Sequence, residues 1–204
     1  MTGVAPSVGA GFKPAPTTPD RDRRRRRALR LKDYDYSQAG AYFVTLCTHL
    51  RECIFGSVDR SILRLSDAGL VAKQIWNELP VHYPRVSLDA FIVMPNHVHG
   101  VIMFSDEDRF VPKEPMERTP QPGRVKMHAL PEIVRAFKTF SARAINKHRH
   151  SEGESVWQRN YYEHVVRDEK DLNRIRQYIA DNPARWSEDS NNPVTWPQNR
   201  RGGF

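Results

Sequence analysis

One short stretch, FIVMPNHVHGVIMF at residues 91–104, constrains the fold more than any other part of the chain. Apolar residues on both sides of Pro95-Asn96 predict two short strands joined by a tight turn. His97 and His99 open the second strand, and because side chains alternate across a strand they share one face while Val98 points to the other. Two imidazoles on one face have the geometry of a metal-binding pair, although isolated His-x-His pairs also occur as hydrogen-bonded or surface histidines.

Hydrophobic patterning predicts further strands and three helices. The predicted strands are AYFVTLCTH (41–49), a strand or hairpin over IFGSV and SILRL (54–65), and YYEHVVRD (161–168). The predicted helices are 66–79, stopped by Pro80, then 130–148, and about 170–181, which ends before Asn182-Pro183. The order β-α-β-β-α-β followed by a helix is that of an α+β, ferredoxin-like split βαβ fold with an antiparallel sheet. This arrangement places the two histidines in mid-sheet.

The first two helices carry apolar stripes. Ser66 or Asp67 is the expected N-cap of the first helix, whose stripe is Leu70, Ile75, Trp76 and Leu79. The stripe of the second helix is Leu130, Ile133, Val134, Phe137, Ala144 and Ile145. The other positions of the second helix carry five basic residues, Arg135, Lys138, Arg143, Lys147 and Arg149, against the single acid Glu132. This helix is therefore amphipathic and strongly basic.

Charge is concentrated at the N-terminus. The chain carries a formal net charge of +8 over 204 residues, and residues 1–33 hold nine basic and three acidic residues, so nine minus three places +6 there and +2 elsewhere. We expect three parts: a disordered basic extension at 1–33, a domain at 34–188 and a short tail at 189–204. The arginine run is either a solvated segment or an arm that neutralises phosphates.

Several protein classes are disfavoured by composition. No apolar run has membrane-spanning length and the N-terminus has no signal-peptide pattern, so we expect a cytosolic protein without membrane contact. Two cysteines, Cys47 and Cys53, make a disulfide framework unexpected. A zinc site that combines them with His49 and the later histidines is conceivable, but the spacing matches none of the usual zinc-finger patterns.

The last predicted helix adds two candidate functional groups. Tyr178 and Asn182 are four residues apart and share a helix face. Tyrosine can act as a nucleophile and the Asn carbonyl as a metal ligand, whereas the alternatives are a packed aromatic and a helix-end cap. A hydroxyl with a pKa of about 10 attacks poorly at neutral pH, and a divalent cation that polarises a phosphate compensates for this. Tyr161 and Tyr162 are further tyrosines, for which base stacking or packing is expected.

The motifs MPNHVHGVI, the basic helix and VWQRNYYEHVVRDEKDLNRIRQYIADNP together resemble the single-tyrosine HUH transposases. The similarity is closest to those associated with repetitive extragenic palindromes (REP), and it covers about residues 36–187. By this resemblance, His97 and His99 are the HUH metal ligands, Tyr178 is the nucleophile and Asn182 completes the metal site.

The resemblance implies metal-dependent breakage and rejoining of single-stranded DNA through a 5′-phosphotyrosine link, with Mg²⁺ or Mn²⁺ as cofactor. The implied partner is hairpin or palindromic DNA, bound at the nucleoid by a monomer or homodimer. Ordered basic groups are expected to contact it: Arg135, Lys138, Arg143 and Lys147. Two alternatives stay open, a hairpin-binding protein that no longer cuts and a metal-dependent hydrolase in which Tyr178 is structural.

Overall fold

A computed structural model of the chain describes residues 34–106 and 128–195. The predicted extension 1–33, most of the Pro-rich stretch 105–128, and residues 196–204 lie outside the described residues. The strands of the described part are β1 (Gly40–Cys47), β2 (Gly56–Asp59), β3 (Ile62–Leu65), β4 (Val86–Met94), β5 (His97–Phe104) and β6 (Tyr162–Val165). The α-helices are α1 (Asp67–His82), α2 (Leu130–Arg149) and α3 (Glu169–Asp181).

Four strands form one antiparallel sheet in the order β4-β5-β1-β6, while β2 and β3 pair as a separate hairpin. Without that hairpin, the element order and the strand order are those of the predicted α+β, ferredoxin-like fold. Strand β5 lies between β4 and β1, so the histidines that open it are in mid-sheet, as the sequence predicted. Opposite them on β1 are Cys47 and Thr45.

The two faces of the sheet bury different sets of side chains. Helices α1 and α2 cover one face, where Val98 belongs to the larger hydrophobic cluster. Helix α3 covers the other face, where Ile175 and Ile179 pack with Phe43 and Val101 in a smaller cluster. His97 and His99 have the same strand parity as Val101, so they lie on the α3 face. The sheet thereby directs both imidazoles toward the helix that carries Tyr178.

Gly100, the residue after the second histidine, leaves room for Trp76 on the α1/α2 face. A Cβ atom at Gly100 would lie 2.3 Å from the Trp76 ring and 2.9 Å from the ring of Phe91. The indole of Trp76 is 1% exposed and stacks on Phe91 with a centroid distance of 4.4 Å. The absence of a side chain at Gly100 therefore lets α1 approach the strand directly behind the histidines.

Helix α1 corrects two predictions. Pro80 does not stop the helix, which continues to His82. Proline removes one backbone donor, and the last turn is retained because Tyr83 N donates to Leu79 O at 3.0 Å. Leu70 was assigned to the buried stripe but is 54% exposed, and Ala68, Gly69 and Ala72 are buried instead. The N-cap is Ser66, whose side chain accepts from Gly69 N.

Helix α2 matches its predicted span and most of its predicted stripe, but it buries two polar residues. Ser141 donates to Phe137 O at 2.6 Å and accepts from Trp157 Nε1 at 2.9 Å. Asn146 donates from Nδ2 to Glu154 O at 2.8 Å. Ala144 is only half-buried. These hydrogen bonds tie α2 to the segment before β6, and they explain burial that hydrophobic periodicity did not indicate. In the described part of the chain, no helix has the length and apolar character needed to cross a membrane.

We predict that Gly100→Ala lowers the free energy of unfolding by about 1–3 kcal/mol, because the new methyl group overlaps the Trp76 ring. Urea denaturation of the variant measures the loss. The matched control is the double variant Gly100→Ala/Trp76→Leu, in which a smaller side chain at position 76 should make the Gly100→Ala substitution less costly. Equal costs of Gly100→Ala with and without Trp76 would contradict the steric explanation.

Candidate active site

Two buried imidazoles face each other at the start of β5. His97 is fully buried and His99 is 2% exposed. Their Nε2 atoms lie 3.0 Å apart, and the two rings are nearly edge to face with a centroid distance of 4.5 Å. At that separation both nitrogens cannot present lone pairs unless a proton or a cation lies between them. In the neutral pair one Nε2 therefore donates its proton to the other, and a cation that binds to both must replace that proton.

Hydrogen bonds to Nδ1 orient both rings. Asn96 donates from Nδ2 to the carbonyls of Arg51, at 2.9 Å, and Asn191, at 2.7 Å. Its Oδ1 therefore faces His97 Nδ1 at 2.9 Å and accepts the proton of that nitrogen, which leaves His97 Nε2 as a lone pair. Thr45 Oγ1 lies 2.8 Å from His99 Nδ1, and since a hydroxyl can donate or accept, His99 can carry its proton on either nitrogen.

Tyr178 lies over the second histidine. Its hydroxyl is 3.4 Å from His99 Nε2, and its ring packs edge-on against Phe43 with a centroid distance of 6.1 Å. The side chain is half-buried. Burial raises the pKa of Tyr178 to about 12, so the phenol is protonated at neutral pH. The structure thus brings together Tyr178 and the histidine pair, which the sequence separates by about 80 residues.

Asn182 caps α3 one turn after Tyr178 and joins the same site. It is 3% exposed, and its side chain is close enough to affect the pKa of both His97 and Tyr178. Within the described residues its Oδ1 atom is buried without a hydrogen-bond partner. A buried amide oxygen without a donor is costly, and a cation would satisfy it.

Asp189 is a site residue that the sequence analysis missed. Its carboxylate lies 3.8 Å from His97 Nε2, and ligand atoms of Asp189, His97 and His99 all lie within 4.8 Å of one another. Burial raises the pKa of Asp189. The segment DSNNP (189–193) fell within the predicted tail 189–204, so its side chains were not among the candidate site residues. Its one signal was the density of Asp and Asn side chains, which favour turns and metal ligation.

The two imidazoles resist protonation. Burial lowers the pKa of His99 to about 3. Burial, reinforced by the neighbouring imidazole of His99, lowers the pKa of His97 well below its ordinary value. A neutral imidazole is the form that binds a metal ion. The donor set of two imidazoles, an orphaned amide oxygen and a carboxylate therefore fits a divalent cation.

The other residues considered from the sequence do not join this set of ligands. Cys47, His49 and Cys53 do not form a metal-binding cluster in the described part of the chain, and both cysteines are free thiols, so the zinc alternative is wrong for these residues. Tyr162 packs near Phe43 on the α3 face, with a centroid distance of 6.2 Å. Tyr161 packs against the α1/α2 cluster.

The basic residues of α2 lie on the opposite face of the sheet from Tyr178. Arg135 and Lys138 line an open groove of about 460 Å³, which Trp157, Arg159 and Tyr161 also line. Lys138 is half-buried and its ammonium donates to the carbonyls of Gln158 and Arg159. Arg143 and Lys147 are exposed farther along the helix.

Comparisons with known proteins identify relatives of this chain among transposases. The family model described as "Transposase IS200 like" matches residues 125–182, which include α2 and α3 but not the histidine pair. An uncharacterized protein of Haemophilus influenzae is 39% identical over 156 residues, which is 76% of this chain and 86% of the relative. A second protein of that organism, named "Putative REP-associated tyrosine transposase", is 27% identical over 152 residues, 74% of this chain and 73% of the relative.

The chain carries an IS200-like transposase domain at residues 125–182, and it is a homologue of the REP-associated tyrosine transposase of Haemophilus influenzae. Its fold is also that of a solved REP-associated tyrosine transposase bound to a REP hairpin, with a TM-score of 0.52 and 16% identity over 77% of this chain and 73% of that chain. The resemblance expected from the sequence motifs is thereby confirmed, and the fold class with it. Within this transposase family, the site described above is the candidate catalytic centre.

We predict that the metal-free protein loses stability as the pH falls below 6.5. Between pH 6.5 and about 3 the unfolded chain protonates His99 and the native state does not, and the same sign holds for His97. Well below pH 6.5 each histidine costs about 1.4 kcal/mol per pH unit, so unfolding at pH 5.5 should be easier by about 3 kcal/mol than at pH 7.5. Urea denaturation in EDTA measures the difference.

The control is His97→Gln/His99→Gln, which cannot titrate at these positions. Buried Asp189 acts with the opposite sign, because its raised pKa favours protonation of the native state, and it is present in both proteins. The difference between the two proteins therefore isolates the histidines. An identical pH dependence would contradict their burial in the neutral form.

Proposed function

We propose that this chain cleaves and rejoins single-stranded DNA next to hairpin elements, through a covalent bond between Tyr178 and a 5′ phosphate. The observation that carries the proposal is the convergence of Tyr178 and Asn182 from α3 with His97 and His99 from β5. A protein that only binds DNA has no need of a buried, neutral histidine pair beneath a tyrosine hydroxyl. The similarity to REP-associated tyrosine transposases supports a hairpin of this kind as the substrate.

The residues that would hold a divalent ion are His97, His99, Asn182 and, as an anionic ligand, Asp189. We propose Mg²⁺ or Mn²⁺, since the oxygen ligands of Asn182, Asp189 and a substrate phosphate suit hard cations. When bound, the ion would polarise the scissile phosphate as a Lewis acid. The lowered pKa values of the histidines keep their Nε2 lone pairs available, and Asn96 and Thr45 fix the direction of those lone pairs.

The chemical step belongs to Tyr178. Its phenolic oxygen forms a bond to phosphorus while the bond from phosphorus to the 3′ oxygen breaks. The phenol gives up its proton to solvent and the departing 3′ oxygen takes one up, so the products are a 5′-phosphotyrosine and a free 3′-OH. Because the covalent link conserves a phosphodiester, attack by a 3′-OH reverses the step without ATP.

DNA binding is proposed for the groove beside α2 and for the exposed cations that extend it. Arg135 and Arg159 supply positive charge, and Trp157 and Tyr161 supply aromatic surface. Cations interleaved with aromatic rings are the pattern that binds unpaired nucleotides. Lys138 contributes its charge from a fixed position, while Arg143 and Lys147 are placed to contact phosphates along the helix.

The first test is covalent trapping. The protein is incubated with Mg²⁺ or Mn²⁺ and single-stranded oligonucleotides from the flanks of its own gene, and a denaturation-resistant adduct is sought on a gel. We expect an adduct with the unmodified protein and none with Tyr178→Phe, which lacks the attacking oxygen. Hairpin affinity should change by less than about fivefold, the equivalent of one hydrogen bond.

Tyr162→Phe is the matched control, because Tyr162 packs on the same face of the sheet and its adduct yield should be retained. Loss of the adduct in Tyr162→Phe rather than in Tyr178→Phe would identify Tyr162 as the nucleophile. Hairpin binding by the unmodified protein without any adduct would favour the alternative of a hairpin-binding protein that does not cut.

The second test concerns the metal ligands. We expect His97→Ala and His99→Ala to abolish adduct formation and to weaken Mn²⁺ binding by more than about 100-fold, since direct ligands matter more than the residues that orient them. Mn²⁺ affinity is measured by electron paramagnetic resonance, with circular dichroism to verify the fold. Full cleavage by the unmodified protein in EDTA would refute metal dependence.

Asn182→Ala and Asp189→Asn test the two oxygen ligands separately, and both should weaken Mn²⁺ binding. Asp181→Asn is the control, because that carboxylate bonds Gln177 and Arg185 at the helix surface. An unchanged Mn²⁺ affinity in Asp189→Asn would remove Asp189 from the ligand set.

The third test concerns DNA binding by α2. Replacing Arg135 and Arg143 by Gln should lower the slope of log K against log salt by about 0.7–0.9 for each phosphate that the variant no longer neutralises. A salt titration of hairpin binding measures the slope. Arg64→Gln, an exposed arginine of the β2–β3 hairpin, is the control and should leave the slope unchanged. Equal slopes in all three proteins would exclude Arg135 and Arg143 as phosphate contacts.

A further inference from the structure

Arg51 lies beside the candidate catalytic centre in a strained backbone segment. It follows Leu50 in the short 3-10 helix His49–Arg51 after β1, and both residues have left-handed backbone angles, φ 50° and 57°. Residues other than glycine seldom adopt this conformation, and they keep it where surrounding bonds enforce it. Here the Arg51 amide donates to Thr48 O at 3.1 Å, and its carbonyl accepts from Asn96 Nδ2.

The same network holds the Arg51 guanidinium next to the metal-ligand candidates. Its Nη1 donates to Asn191 Oδ1. The backbone amide of Asn191 donates to Asp189 Oδ1 at 2.7 Å, and the other oxygen of that carboxylate is 3.8 Å from His97 Nε2. Asn191 and Asp189 thus connect Arg51 to the histidine pair. The side chain of Arg51 is not fully buried, so a substrate can reach it.

The positive charge of Arg51 affects the pKa values of groups within the site. Burial raises the pKa of Cys47 and of Asp189 and lowers the pKa of His97. The nearby positive charge of Arg51 lowers the pKa of all three groups, against burial for Cys47 and Asp189 and in the same direction for His97. The histidines are neutral there, and Tyr178 is a protonated phenol at neutral pH. Arg51 therefore contributes positive charge to a centre whose nucleophile carries none.

We propose that Arg51 binds a non-bridging oxygen of the DNA phosphate that Tyr178 attacks. This inference rests on the proposed function. A guanidinium presents a planar fork of donors that matches two phosphate oxygens, and a hydrogen bond to a charged phosphate is stronger than one to the neutral amide oxygen of Asn191. Arg51 would thus exchange Asn191 for the substrate. Negative charge grows on the non-bridging oxygens as phosphorus becomes five-coordinate, so the interaction strengthens in the transition state.

The experiment compares two substrates in single-turnover adduct formation. The cleavage position is first mapped with the unmodified protein, and an oligonucleotide with a methylphosphonate at that position, which lacks one charged non-bridging oxygen, is then prepared. On the ordinary phosphate, Arg51→Gln should form the adduct about 100-fold more slowly than the unmodified protein. On the methylphosphonate the two proteins should differ by much less. Arg51→Lys keeps the positive charge but lacks the planar pair of donors, so on the ordinary phosphate its rate should lie between those of the unmodified protein and Arg51→Gln.

If Arg51 had a purely structural role, Arg51→Gln would slow adduct formation by the same factor on both substrates. Displacement of Asn96 or Asp189 would lower the rate whatever the charge of the phosphate. Arg60→Gln is the control, since Arg60 also has a left-handed backbone, φ 46°, but lies in the turn between β2 and β3. The inference would be overturned if the ratio of the unmodified rate to the Arg51→Gln rate were the same on both substrates, or if Arg51→Gln formed the adduct at an unchanged rate. No adduct with the unmodified protein would refute the proposed function itself, and the inference with it.

Discussion

The burial of two neutral imidazoles with their Nε2 atoms 3.0 Å apart is the constraint on which the rest of the site depends. Neither ring can be charged at that depth, and both need partners for Nδ1. Asn96 and Thr45 supply those partners, one from the turn before β5 and one from the facing strand β1. Asn96 can present its oxygen to His97 only because its two donors are taken by the carbonyls of Arg51 and Asn191. A single amide thereby links the turn, the end of β1 and the segment after α3.

The position of Tyr178 depends on how α3 is held against the sheet. Apolar packing of Ile175 and Ile179 supplies the contact, but apolar contacts alone specify the helix register weakly. Arg176 makes two hydrogen bonds of 2.8 Å to the carboxylate of Asp89 on the edge strand β4. A partly exposed ion pair of this kind adds little stability, while its bidentate geometry fixes one arrangement. Since Arg176 is two residues before Tyr178, this pair helps to determine where the hydroxyl lies.

Local patterns predicted much of this structure. The alternation of apolar residues around Pro95-Asn96 predicted two strands and a common face for the histidines. Helical spacing predicted that Tyr178 and Asn182 share a helix face. Both predictions succeed because each pattern depends only on residues that are close together in the chain. Asp189 and Arg51 were missed because their roles arise only when segments far apart in the sequence meet at Asn96. Leu70 was misassigned since its spacing fits a helical stripe, whereas contact with the sheet uses the small residues Ala68, Gly69 and Ala72. Propensity likewise placed the helix end before Pro80, whereas the helix continues to His82 and Tyr83 N still donates to Leu79 O.

The α2 groove and Tyr178 lie on opposite faces of the sheet, and the end of β1 offers one route by which a substrate can contact both. At that end, Gln158 N donates to Cys47 O, and Cys47 pairs with His97 on β5. The Lys138 ammonium, bound to the Gln158 carbonyl, is fixed between the two faces. An unpaired strand bends around the end of a sheet more readily than a rigid duplex does. Under the proposed function, this geometry suits a hairpin whose stem contacts α2 and whose single-stranded end reaches Tyr178.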